Sequence, residues 1–319
     1  MIVRFWGTRG SIPVAPTTAA IRRKLVSALV LAAGRALDTA DKARAFVERE
    51  LAFPVSQTFG GNSSCVELET GDPDYLVCDM GSGARPFGLH VLARHGQARP
   101  QTFHVFMSHL HWDHIMGFPF FPPAYIAGNR IRIYGCHATL EEAFRRQHGV
   151  PSFPVEFAKL SATIEFVRLA PDRAHEVAGF RVTPKLQRHS GDSYGYRFER
   201  EGRTVVYSTD SEHKLDDRDA TRAFVEFFRG ADLVIFDAQY SLAECMSVKE
   251  DWGHSSNIVG VELCQMAGVR HLCLYHHEPV LGDEEIAAVL QETRRLEEIT
   301  RGDRPLYVSA AYDGMEITL

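Results

Sequence analysis

His109, His111, Asp113 and His114 fall within six residues, in the run Met107-Ser-His-Leu-His-Trp-Asp-His-Ile-Met-Gly117. No other stretch of the chain constrains the fold as strongly. The apolar run Phe103-His-Val-Phe-Met107 comes directly before it and reads as a buried strand. Such a strand delivers the four side chains to a loop at a sheet edge, where several can aim at one point. Imidazole and carboxylate ligands suit zinc, iron or manganese. Ligand sets this close can also feed two adjacent ions, the usual device for activating water against a phosphoryl or carbonyl centre. A polar loop whose histidines merely face water is the alternative, and it leaves the crowding after a strand unaccounted for.

Further candidates also follow strand-like runs. His189 comes after the run 180–186 and before the turn-rich Ser190-Gly-Asp-Ser-Tyr-Gly195, and Asp210 comes after Val205-Val-Tyr-Ser-Thr209. His276 and His277 both follow the run 271–275. Adjacent residues of an extended segment point to opposite sides, so the two do not share one ion, and residue chemistry leaves open which of them binds. Asp79 and Asp237 each end a strand, where they either orient ligand imidazoles or satisfy loop amides. His254 lies in Trp252-Gly-His-Ser-Ser256, directly before a helix that Ser255 or Ser256 would cap. His213 is close in sequence to Asp210 and is a weaker candidate for substrate contact.

The H-x-H-x-D-H spacing resembles the metal motif of the metallo-β-lactamase superfamily, and other segments follow in matching order. Phe5-Trp-Gly-Thr-Arg-Gly-Ser-Ile-Pro13 resembles the first strand and turn of its phosphodiesterase and nuclease branch, as do Gly60-Gly-Asn-Ser-Ser-Cys65 and Cys78-Asp-Met-Gly-Ser-Gly83. Gly253-His-Ser255 and His276-His-Glu-Pro279 point toward ribonuclease Z and the bacterial phosphodiesterases. The resemblance spans almost the whole chain apart from 14–55. It implies an α/β fold, a four-layer αβ/βα sandwich formed by a single domain over 1–319, with a helical insertion at 14–55. It also implies two divalent metal ions, with His109, His111 and His189 on one, Asp113, His114 and His276 on the other, and Asp210 bridging them. Zinc is the default for this ligand set, and manganese or iron also suits it. The same resemblance selects His276 over His277, leaving His277 to bond near the site or cap the next turn. It gives catalytic tasks to Asp113, which would orient the nucleophile, and to His254, which would assist the leaving group. A structural His254 bonding a loop carbonyl is the alternative.

Composition agrees with a globular enzyme. With 45% hydrophobic residues among 319, the chain can bury a sizeable core. It has no apolar run of about 18 residues, the length a spanning helix needs. A charged segment leading into a long apolar one, as in a signal peptide, is not seen at the N-terminus. The cysteines at 65, 78, 136, 245, 264 and 273 form no C-x-x-C pair, and several lie in apolar runs, so buried free thiols are expected. These features favour the cytoplasm and no membrane contact. The formal net charge of −6 weighs against a long nucleic acid, which calls for a basic field.

Strand-like runs at 2–6, 64–69, 75–78, 102–107, 130–134, 164–169, 180–186, 194–200, 204–207, 233–236 and 271–275 alternate with helical patterns at 139–147, 218–229, 256–266 and 284–299. That alternation fits helices covering sheets. In 17–51, Ile21, Leu25, Leu29, Ala32 and Ala36 recur at helical spacing, Gly34 interrupts, and the pattern resumes at Ala43-Arg-Ala-Phe-Val47. These helices are either a surface element packed on the core or a lid or homodimer contact.

The expected activity is that of a dinuclear metal-dependent hydrolase, a phosphodiesterase using a metal-bridging hydroxide on small or cyclic nucleotide-like diesters. No tRNA-binding arm rich in Gly and Pro is evident, which ranks RNA below a small-molecule substrate. A ribonuclease Z-like nuclease is the runner-up, and a metal-dependent ligand-binding or sensor protein with little turnover is a third reading from another class. β-Lactamase and thioesterase activities occur on the same fold, but the His254 segment ranks them lower.

Overall fold

The structure is a computed structural model that describes residues 1–214, 216–245, 249 and 251–319. Strands β1 (Ile2–Gly7), β2 (Cys65–Glu69), β3 (Tyr75–Cys78), β4 (Thr102–Phe106), β5 (Arg130–Gly135) and β6 (Thr163–Arg168) belong to one sheet. Strands β7 (His175–Val177), β8 (Phe180–Gln187), β9 (Ser193–Arg200), β10 (Arg203–Ser208), β11 (Leu233–Asp237), β12 (His271–Tyr275) and β13 (Tyr307–Ala310) form the other, and β14 (Glu316–Thr318) returns to the first. The sheet orders are β14-β1-β2-β3-β4-β5-β6 and β13-β12-β11-β10-β9-β8-β7. β3 to β6 run parallel, as do β10 to β13.

Strict alternation explains why the sheets stack. In β11, Leu233 and Ile235 enter the core between the sheets, whereas Val234 and Phe236 face the helices outside. In β4, Phe106 enters the central core, and Phe103 and Val105 pack outward. Three apolar layers therefore separate four layers of structure. Among the described residues the α-helices are α1 (Thr18–Leu31), α2 (Ala40–Arg49), α3 (Phe53–Ser56), α4 (Ala84–His95), α5 (Trp112–Ile115), α6 (Leu140–Gln147), α7 (Arg218–Phe228), α8 (Leu242–Cys245), α9 (Asn257–Ala267) and α10 (Asp283–Thr300). α4 and α6 cover the first sheet, and α7, α9 and α10 cover the second. This is the αβ/βα sandwich that the motif order implies.

The helices within 14–55 depart from one expectation. α1 buries none of its residues, and Leu25 and Leu29 of its apolar stripe are 59% and 72% exposed, so it does not pack that stripe on the core. It is tied instead by Lys24, which bonds Asp283 and the Gln57 carbonyl. The sequence pattern also passes over α4, β7, β13 and β14. In α4 the buried positions are Ala84, Phe87, Gly88 and Val91, too mixed with small residues to show a stripe, and Pro86 sits in its first turn. Among the described residues no helix is long and apolar enough to cross a membrane. All six cysteines are free and five of them are buried, as expected.

Candidate metal centre

The candidate residues gather because they lie at the carboxyl ends of the parallel strands. Asp79 follows β3, the run 107–117 follows β4, Asp210 lies just beyond β10, Asp237 ends β11 and His276 follows β12. β8 runs in the same direction as β10, since β9 pairs antiparallel with both, and it delivers His189 to the same edge. Ligand sites in open α/β sheets occupy this position.

Among the described residues four overlapping groups of possible ligand atoms meet there, two of them on the expected ligand sets and two that add His254, to His189 and Asp210 and to Asp237 and His276. The ligand atoms of His109, His111 and His189 lie within 4.8 Å of one another, as do those of Asp113, His114, Asp210 and His276. His189 Nε2 is 3.1 Å from His111 Nδ1. In the second group His114 Nε2 is 3.2 Å from Asp113 Oδ2, and His276 Nε2 is 3.3 Å from the same oxygen. Asp210 faces both groups. Its Oδ1 is 3.2 Å from His114 Nε2 and 3.2 Å from His276 Nε2, and its Oδ2 is 3.5 Å from His109 Nε2 and 3.7 Å from His189 Nε2.

The outer hydrogen bonds fix which nitrogen each imidazole presents. Asp79 Oδ2 can only accept, so His114 donates from Nδ1 across 2.7 Å and turns Nε2 inward. Gly253 O accepts from His189 Nδ1 at 2.8 Å with the same consequence. The Ser108 hydroxyl donates to Asp79 Oδ2, so it accepts from His109 Nδ1 at 3.0 Å. His109 Nε2 is then buried with no hydrogen-bond partner. A buried orphan nitrogen is costly unless something fills the space it faces. Burial, reinforced by neighbouring imidazoles, lowers the pKa of His109 and His111, and burial likewise lowers that of His189, so all three are neutral as metal ligands must be. Burial also opposes charge on Asp210 and Asp113, but the adjacent imidazoles hold both carboxyls well below the usual range. Neutral imidazoles at His109, His111 and His189, ionised carboxylates and an orphaned inward nitrogen fit a cation-binding centre, and at His114, where burial opposes charge, Asp210, Asp113 and Asp79 raise the pKa, so that position favours positive charge.

Two glycines make room for this packing. A Cβ on Gly10 would lie 2.7 Å from His276 Nδ1, and one on Gly253, at φ 84°, would collide with His189 Nδ1.

Asp79 does both things open to it, whereas Asp237 satisfies loop amides and holds His254, which is not among the expected ligands. Asp79 holds His114 and accepts from Ser108 N at 2.7 Å and from Tyr207 OH at 2.7 Å. Asp237 accepts from His254 Nδ1 at 2.8 Å and from the backbone amides of Ser211 and Gln239. Hence the nearest partner of His254 is a carboxylate and not a loop carbonyl. Burial disfavours an imidazolium there, but Asp237 outweighs it and raises the His254 pKa to about 9. Ser256, rather than Ser255, caps α9, and the Ser255 hydroxyl spans to Ser211 O.

His277 turns away from the cleft to donate to Ala311 O at 2.8 Å, so it does not join the site. His213 is likewise removed from substrate contact, since it stacks on Phe236 and meets Phe224 edge-on within the helix-facing core. Burial takes its pKa down to about 4.

Ser11, Leu110, His111, Trp112, Asp113, His189, Asp210 and His254 line an open cleft of about 500 Å³ over the two groups. Sequence reasoning did not single out Ser11, Leu110, Trp112, Ser108 or Tyr207. Trp112 lay inside the motif, so its position was a usable signal. The Tyr207 contact depends on the stacking of two sheets and left no local trace.

Residues 80–277, more than half the chain, match the family described as Beta-lactamase superfamily domain. An uncharacterized protein of Mycobacterium tuberculosis is 28% identical over 220 residues, 66% of this chain and 72% of its own length. Ribonuclease Z of Thermoplasma acidophilum is 23% identical over 235 residues, 60% of this chain and 73% of that protein. Among solved structures, the metallo-beta-lactamase fold protein YhfI from Bacillus subtilis superposes with TM-score 0.65 at 18% identity, over 99% of this chain and 98% of that one. The short form of human tRNase Z gives TM-score 0.61 at 19% identity, over 100% and 99% of the two chains. Zn(2+)-bound PqqB from Methylobacterium extorquens gives 0.61 at 15%, over 100% of both. At such identities the structural likeness speaks to the fold.

Proposed function

The chain belongs to the metallo-β-lactamase superfamily, and from this premise we propose that it is a hydrolase, a dinuclear phosphodiesterase for small or cyclic nucleotide-like diesters. The observation that carries the reading is Asp210, whose two oxygens face two separate sets of ligand atoms beneath one cleft. In this reading His109, His111 and His189 hold one divalent ion, Asp113, His114 and His276 hold the other, and Asp210 serves both. When bound, the ions activate water and neutralise the non-bridging phosphoryl oxygens. Zinc is the first choice, and manganese or iron suits the same ligands.

The remaining roles fall to the protein. Asp113 lines the cleft and uses its carboxylate to orient the attacking water. His254 also lines the cleft, with its ring centroid 5.0 Å from that of His189 and 5.2 Å from that of His276. Its Nδ1 proton is committed to Asp237, so Nε2 is the atom that delivers a proton to the leaving oxygen. Asp237 fixes the ring for that transfer. A ribonuclease Z-like nuclease is the second reading, favoured by the curated relatives of that name. The cleft weighs against it, because none of its eight lining residues is Lys or Arg.

Hydrolysis of bis(p-nitrophenyl) phosphate by the metal-loaded protein, with Asp210→Ala as the paired control, tests the proposal. Turnover that disappears in the variant, along with bound metal, supports it. No turnover with zinc, manganese or iron refutes a broad phosphodiesterase and leaves a selective nuclease or a binding protein.

A further inference from the structure

We propose that the indole of Trp112 is a stacking platform for a nucleobase, so that the diester held in the cleft carries at least one nucleoside. The inference takes the phosphate end of the substrate from the phosphodiesterase reading and adds the chemistry of the other end.

Trp112 lies between His111 and Asp113, one from each ligand group, at the first position of α5. Its backbone is fixed by the Met116 amide, which donates to Trp112 O at 2.7 Å. Its side chain is nevertheless 80% exposed. The other two tryptophans are engaged with the protein. Trp6 packs on Phe87 and His90 and donates to Glu67, and Trp252 faces Tyr240 at 6.4 Å. Among the described residues Trp112 has no comparable ring partner. An indole this large, exposed on a rigid turn at the rim of the cleft, is a surface waiting for a ligand.

The rest of the cleft narrows what that ligand is. Charge recognition is concentrated at the metal groups and His254, and among the described residues that line the cleft none is Lys or Arg. Beyond the ligand groups and His254 the described lining is Ser11, Leu110 and Trp112, and Trp112 is its one planar surface. A nucleobase offers a π-face to an indole whatever its sequence identity. A choline-like cation is the competing fit for an aromatic residue, but such cations are recognised by cages of several rings, and Trp112 is the one Trp, Tyr or Phe of this lining.

The test is calorimetric binding to the metal-loaded protein of adenosine 5′-monophosphate, ribose 5-phosphate and phosphocholine, which share the phosphate and differ in the group it esterifies. The nucleotide should bind about tenfold tighter than either of the others, the scale of one base–aromatic stack. Trp112→Ala should bring it down to the ribose 5-phosphate level, and Trp112→Phe should keep most of the preference. Trp252→Ala is the control, since Trp252 is 58% exposed yet lies outside the cleft lining, and it should leave the preference intact. Equal binding of the three ligands, a preference that survives Trp112→Ala, or one equally lost in Trp252→Ala overturns the inference. Because the readout is affinity, the two readings fail separately. A nucleotide preference without diester turnover sinks the hydrolase reading alone, and turnover without the preference sinks the role of Trp112 alone.

Discussion

Replacing Asp79 by Asn tests whether a carboxylate outside the ligand groups decides which nitrogen of His114 faces the cleft. Asp79 is fully buried at φ 60°, a conformation that Asn also tolerates, so shape and backbone are kept. Its Oδ1 accepts from Ser108 N, and its Oδ2 accepts from Ser108 Oγ, His114 Nδ1 and Tyr207 OH, all at 2.7 Å. An amide has one acceptor oxygen. With that oxygen on the Ser108 amide, its NH₂ group confronts the three other donors. The two hydroxyls can rotate their protons away. The imidazole cannot, and it relieves the clash by shifting its proton from Nδ1 to Nε2. That places an N–H against Asp113 and Asp210, where a lone pair is needed for a metal. The lost hydrogen bond to a charged group is worth roughly 1.5–3 kcal/mol. Loss of an outer carboxylate of this kind lowers metal affinity about 10–100-fold. Chelator competition with metal counting should show one ion at wild-type affinity and the other weakened by that factor, in a variant whose circular dichroism is unchanged. A folded Asp79→Asn protein that binds both ions as the wild type does would refute the assignment of the His114 tautomer to Asp79.

Two further predictions address catalysis and stability. His254→Ala should lower diester turnover about 10²–10⁴-fold with both metals still bound, and unchanged turnover would remove His254 from the chemistry. Glu67 is 1% exposed, and burial raises its pKa from 4.5 to about 7. Between those two values the folded state binds the proton more tightly than the unfolded chain, so stability falls as pH rises through that window. Glu67→Gln removes the penalty while keeping an acceptor for Trp6, and should match wild type at pH near 5 and exceed it by about 2–3 kcal/mol at pH near 8. Urea unfolding at the two pH values checks this, and a gain that shrinks as pH rises counts against it.

The order of the site is legible because each expected ligand lies beyond the end of an apolar run, and strands announce themselves by such runs. The run 102–107 reads as a strand delivering His109 to His114, and β4 ends at Phe106 with Met107 still buried behind it. What the sequence could not disclose is partnership across elements. Asp79 reaches His114 only because β3 lies beside β4, and it reaches Tyr207 only because the two sheets stack. Neither neighbour is marked by spacing along the chain. The apolar stripe of the helices within 14–55 is equally plain, yet periodicity reports only that one face is apolar. In α1 the structure leaves that face largely in solvent, with Leu25 and Leu29 mostly exposed, whereas α2 buries Phe46.

The separation of His276 from His277 was expected from the alternation of an extended strand, and the structure achieves it by another route. β12 ends at Tyr275, and His276 adopts φ 61°. Asp79 and Asp210 do the same at the ends of their strands, with φ of 60° and 45°. Left-handed backbone is uncommon outside glycine and costs on the order of 1 kcal/mol or more per residue. Aspartate is among the residues that visit it with local side-chain support, whereas histidine at 276 must be held there by its surroundings. The surroundings are specific. His277 N donates to Thr8 O at 3.0 Å, Gly10 N donates to His277 O at 3.0 Å, and Tyr275 OH donates to Gly7 O at 2.7 Å, so the first turn of the chain clamps the residues on either side. A strand continued in extended form would keep sending side chains above and below its sheet. A single left-handed residue instead turns the side chain out over the strand end, into the space between the two sheets' edges. Three strands from two sheets use that turn to aim an oxygen or nitrogen at the cleft or at a ligand of it, and the backbone strain is offset by packing that only the assembled sandwich supplies.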